Sequence, residues 1–107
     1  MIGTYILIGQ TPVPEPDFER WARWMGEYNE HVAFVQVGPY QISTIFLGLD
    51  HAHWPSTKVR LFETMIFADD RDDELHSRQW RCATWSEAEE QHALAVAACR
   101  AKIQLRK

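Results

Sequence analysis

Long apolar runs are missing from this chain of 107 residues. No stretch approaches the roughly 18 consecutive apolar residues of a membrane span. The opening MIGTYILIGQ has neither the basic n-region nor the apolar length of a signal peptide. The expectation is a cytoplasmic protein with no membrane partner. Glycine is sparse: five residues, scattered singly, with no Gly-rich phosphate loop. Cysteine is limited to Cys82 and Cys99, without C-x-x-C spacing, which argues against a secreted disulfide scaffold and for two core thiols in a reducing compartment. A basic stripe is also lacking. Eleven Lys and Arg against 15 Asp and Glu leave a net charge of -4, so direct nucleic-acid binding is not expected. There is no G-x-S-x-G elbow, no visible Cys–His nucleophile arrangement and no strong metal spacing. No cofactor is expected.

What is present reads as globular: 46% hydrophobic, 12% aromatic and 24% charged residues. The length allows a single domain, 1–107, burying roughly 65% of its unfolded surface. The charge is unevenly placed. Residues 69–74 carry five acids and one base, whereas Arg100 to Lys107 carry four bases and no acid. An acidic run of this kind is either a solvated loop or a surface that faces a basic partner.

Thr4–Ile8 is a β-rich run between Gly3 and Gly9 and predicts a strand. Three prolines between Thr11 and Pro16 exclude helix and central strand, leaving an ordered connector or extended arm. Asp17 then opens an amphipathic helix of about 12 residues, with Phe18, Trp21, Ala22, Met25 and Tyr28 on one stripe and Trp24 beside it. Val32–Val37 and Ile42–Leu49 predict strands joined by the turn Gly38-Pro39, the second of them central because both its faces are apolar. Val59–Phe67 and Trp80–Thr84 predict two more strands. Trp85-Ser86 starts a second helix. Ser86 and Glu89 form an S-x-x-E capping box, and Ala88, His92, Ala95, Cys99 and Ile103 share a face. The order β-α-β-β-β-β-α predicts an α+β fold: an antiparallel sheet of four to five strands with two helices packed on one face.

Asp50-His51-x-His53 is the densest functional cluster, on a loop after a strand. His51 and His53 are weak candidates for metal ligation, because a zinc site needs three or four protein ligands; the alternative is a turn with surface histidines. Glu63 interrupts the apolar face of Val59, Leu61, Met65 and Phe67. An unpaired buried carboxylate costs about 3–5 kcal/mol, so Glu63 either pairs with Arg60, Arg78, Arg81, a histidine or Thr44, or acts as an acid or base with a raised pKa. His92 is either a satisfied core histidine or part of a pocket in which Asp50, His51, Glu63 and His92 converge as catalytic candidates. Trp54, beside Pro55, is a candidate aromatic anchor.

Several blocks together carry a family resemblance: Thr11-Pro-Val, Trp21-Ala-Arg-Trp24, Ser43-Thr-Ile-Phe-Leu-Gly-Leu-Asp-His51, Leu61-Phe-Glu-Thr-Met-Ile-Phe67 and Ala83-Thr-Trp-Ser-Glu-Ala88 with His92. Over roughly residues 5–95 the chain resembles a family of small proteins encoded by tailed bacteriophages, prophages and related mobile elements. The resemblance implies a host-cytoplasm accessory protein and no known reaction. It marks Asp50, His51, Glu63, Thr64, Met65, Trp85 and His92 as signature positions. Gly9 or Gln10 stands where the family has a charged residue or histidine, and the Gly-rich loop after His51 is here Ala52-His-Trp-Pro-Ser.

The leading expectation is therefore a non-enzymatic accessory protein that binds a host protein or complex, as a counter-defence inhibitor would. Trp54, Asp69, Asp70, Asp72, Asp73 and Glu74 are its candidate partner-binding residues. The competing expectation is a small-ligand or metal-binding protein, or an enzyme, using the acid–base pocket. A homodimer paired through an edge strand or the first helix is the third.

Overall fold

The computed structural model describes residues 3–28, 31–50 and 59–105. Its elements follow the expected order, with one extra short strand: β1 (Tyr5–Ile8), β2 (Thr11–Pro14), α1 (Phe18–Glu27), β3 (His31–Val37), β4 (Tyr40–Phe46), β5 (Phe62–Ala68), β6 (Gln79–Cys82) and α2 (Trp85–Leu105). β3-β4-β5-β6 form an antiparallel meander with β4 and β5 at its centre, and β1-β2 form a separate two-stranded ribbon. The fold is α+β.

The proline-rich connector turns out to pair. Pro12 faces Leu7 and Pro14 faces Tyr5, alternating with the Val13–Ile6 and Thr11–Ile8 pairs. That alternation puts both prolines where the antiparallel ladder asks for no N–H, so the ribbon closes despite them.

One face of the meander is made by Tyr40, Ile42, Thr44 and Phe46 of β4 with Phe62, Thr64, Ile66 and Ala68 of β5, all buried. α2 lies across this face. Its small Ala95 and Cys99 allow close approach to Tyr40, Ile42, Ile66 and Ala68. A second cluster joins Leu7, Phe46, Leu61, Phe62, Cys82 and Ala88, with Trp24, Met25 and Trp85 packed against it. Trp24 thus widens the buried side of α1, meeting Phe46 edge-on at 5.9 Å and stacking on Tyr28.

Gly48 seats this corner. Its carbonyl accepts from the Trp21 indole and from the Tyr5 backbone. Its φ is +71°, and a Cβ there would stand 2.6 Å from the Met25 sulfur. Both facts require glycine.

The second helix starts at Trp85 as expected, but its capping box lies two residues before the Ser86–Glu89 pattern. Thr84 is the cap: its Oγ1 accepts from Glu87 N at 3.1 Å, and Glu87 Oε1 accepts from Thr84 N at 3.2 Å. Thr84-x-x-Glu87 satisfies the same capping-box pattern as Ser86-x-x-Glu89, and the helix begins at Trp85. Thr84→Ala is expected to cost about 1 kcal/mol and Ser86→Ala nearly nothing, as read by urea unfolding.

Cys82 and Cys99 are free and buried. Burial pushes the Cys82 thiol up to about 11, helped by Glu87, and raises Cys99 as well. Both are poor nucleophiles in this state.

Candidate functional site

The pleat of β5 decides where the candidate residues go. Thr64 faces α2, so Glu63 and Met65 face the opposite side. Glu63 Oε2 accepts from Arg81 Nε at 2.9 Å across the β5–β6 pair. The carboxylate is therefore paired, as one of the two readings of it required. It sits on a half-open face opposite a partly exposed guanidinium, where such a pair contributes about 0–1 kcal/mol.

His92 lies on the other side of the sheet. Its Nδ1 is 2.9 Å from Thr44 Oγ1, which is 2.7 Å from Thr64 Oγ1. Both threonines are fully buried. Only one direction spends both hydroxyl protons inside the chain: Thr64 donates to Thr44, and Thr44 donates to an unprotonated Nδ1. Burial lowers the His92 pKa below the ordinary histidine value, which keeps that acceptor available. The acid–base pocket expected around Glu63 and His92 is corrected here, because adjacent residues of one strand project to opposite faces and the sheet separates them. Asp50 stands at the end of the Thr4–Leu49 bridge, with its N–H donating to Gly3 O. His51, His53 and Trp54 lie outside the described residues. Among the described residues, no three of His, Cys, Asp and Glu gather as a metal-holding group.

Thr44→Val should cost about 1–3 kcal/mol, the price of leaving Nδ1 and the Thr64 hydroxyl without their partner. His92 also sets a pH window. Its unfolded pKa is about 6.5 and its folded pKa is lower. Stability is complete above about 6.5 and falls as acidification passes toward the folded value. In His92→Gln the plot of Tm against pH should be flatter in this window.

The acidic run is not uniformly a surface. Asp73 points inward, and its side chain is 2% exposed. Oδ2 accepts from the Tyr40 hydroxyl and Oδ1 from Lys102 Nζ, both at 2.6 Å, and Oδ1 also accepts from Leu75 N at 2.9 Å. The Lys102 and Tyr40 bonds hold its carboxyl far below the usual carboxylate range. As a partner-contact residue Asp73 is therefore corrected: it ties the β5–β6 loop to α2. Asp69, Asp70, Asp72 and Glu74 remain exposed. Asp69 Oδ1 accepts from Gln41 Nε2 at 3.3 Å, which brings the loop to the rim of the sheet face opposite α2.

That opposite face is the surface the sequence reading missed. Its side chains are Phe34 and Gln36 from β3, Gln41, Ser43 and Ile45 from β4, Glu63, Met65 and Phe67 from β5, and Gln79 and Arg81 from β6. Phe34 is 60% and Phe67 40% exposed. The contacts of both helices lie on the other face. The advance signal in the sequence was the apolar pair Met65 and Phe67 on the side of β5 away from Ile66, with just two helices predicted to cover the sheet.

No family model, no curated protein and no solved structure matches this chain.

Proposed function

We propose that this chain is an accessory protein of the phage or prophage type that acts by binding a host protein, as a counter-defence inhibitor would. The observation that carries the reading is the open face of the meander. Two exposed phenylalanines stand there on β3 and β5, with Ser43 and Gln41 of β4 between them in register and the half-buried Met65 and Ile45 alongside. Aromatic and methionine side chains are enriched in protein interfaces. Asp69 stands at its rim, and the loop that follows adds the exposed acids Asp70, Asp72 and Glu74, the last of them turned to Lys102 of α2; the chain as a whole is at -4. The fitting partner is an apolar patch bordered by Lys and Arg, such as a surface that otherwise holds nucleic acid.

The test compares capture from bacterial lysate by the immobilised wild type and by Met65→Lys/Phe67→Lys, at physiological salt. Support is a protein retained by the wild type, lost with the variant, and eluted progressively by salt. Retention of nothing, or retention that ignores the two substitutions, overturns the reading.

A further inference from the structure

The free edge of β3 carries a separate inference, which shares Phe34 with that face. Asp69 N donates to Pro39 O at 2.9 Å and Leu47 N to Leu61 O at 2.7 Å. These bonds flank the Tyr40–Ala68 and Phe46–Phe62 pairs, so both are non-hydrogen-bonded pairs of the β4–β5 ladder. The backbone groups of Tyr40, Ile42 and Thr44 consequently turn toward β3, where they meet Val37, Val35 and Ala33. By alternation, the N–H and C=O of Phe34 and Gln36 point away from the sheet, along an edge that no other strand among the described residues occupies.

The other edges carry the devices that discourage pairing. β2 has Pro12 and Pro14. β6 is four residues long, carries Arg81 and follows Arg78. β3 is seven residues, His-Val-Ala-Phe-Val-Gln-Val, without Pro, Lys, Arg, Asp or Glu. Its one irregularity, between His31 and Ala33, leaves Phe34–Val37 regular. A strand of this kind is a template for strand addition.

We infer that the occupant is a second copy of this chain, added antiparallel through β3 about a two-fold axis at Val35. This register matches the supply of backbone groups. Phe34 exchanges both its bonds with Gln36 of the second copy, Gln36 does the same with Phe34, and no outward group of the regular segment is left over. Charge does not forbid it. Two molecules at -4 repel, and β3 brings them together along a segment without a charged side chain. Phe34, 60% exposed in the single chain, is then covered at the joint, and two meanders become one continuous sheet with isologous symmetry.

The experiment is light scattering coupled to size exclusion, with amide hydrogen exchange followed by NMR. The wild type should run at twice the chain mass of 12.5 kDa, with Phe34 and Gln36 amides protected alongside those of Val35 and Val37. Gln36→Pro removes a donor that the single chain does not use, and Phe34→Lys adds like charge at the joint; each should run at 12.5 kDa. In Phe34→Lys the Gln36 amide should exchange freely while Val35 and Val37 stay protected, which shows that the fold is intact. A monomeric wild type overturns the inference. So does a dimer that survives both substitutions, or one whose Phe34 and Gln36 amides exchange freely, as in packing through the open face. A monomer whose β3 amides become protected only when a foreign extended peptide is added also overturns it.

Discussion

Asp73→Ala is expected to lower the melting temperature far more than alanine at the neighbouring exposed Asp72. The side chain is short and sits in a loop, yet it collects the Tyr40 hydroxyl, the Lys102 ammonium and the Leu75 N–H. Its removal leaves a fully buried phenol without this acceptor and a mostly buried ammonium with only the exposed Glu74, at 3.3 Å. Breaking one side of a buried pair is the costly case, because the remaining charge stays desolvated. Alanine at Asp72 should change stability by less than about 0.5 kcal/mol. The acid limb of the stability curve provides a second readout. The Asp73 carboxyl is depressed in the folded chain, against about 3.9 when unfolded. Its contribution is whole above that value and is lost as pH falls below it toward the folded pKa. Asp73→Asn should therefore show a shallower loss of Tm below about pH 4 than the wild type does.

Phe62→Ala should be the most damaging core truncation, about 3–5 kcal/mol, or a fall of more than about 10 °C in Tm for a domain of this size. Phe62 is fully buried, with ring centres 5.3 Å from Phe46 and 6.1 Å from Trp85. Phe46 in turn meets Trp24. The Phe62 ring therefore links the start of α2 to the aromatic side of α1, and both contacts loosen when it is cut away. Phe34→Ala, equally large in volume removed, should cost the folding of the single chain little, because within one chain the ring is mostly in solvent. Urea unfolding of the two variants side by side checks the contrast.

The fold class was legible because periodicity and punctuation agree. Gly38-Pro39 separates two β runs, and the alanine-rich stripe of α2 is long and regular. The facing of β5 was not legible. Glu63, Met65 and Phe67 alternate with Phe62, Thr64 and Ile66, and both sets are mainly apolar, so period-two reasoning cannot say which one meets the helices. Glu63 drew attention as the odd polar residue on an apolar row, but the odd residues on the buried row are Thr64 and its cross-strand partner Thr44. Two threonines in register opposite a helix-stripe histidine are the pattern that would have found the chain ending at His92. Asp73 was hidden among four other acids. What distinguishes it is its placement opposite Tyr40 and Lys102, residues 33 and 29 positions away, a relation that only the closed fold creates.

The opposed rows of β5 also make the chain a scaffold with separable sides. Residues 41, 43, 65 and 79 form a patch whose side chains take no part in either buried cluster. Randomising that patch should yield variants that recognise new targets while melting like the parent, since everything that holds the helices down projects the other way.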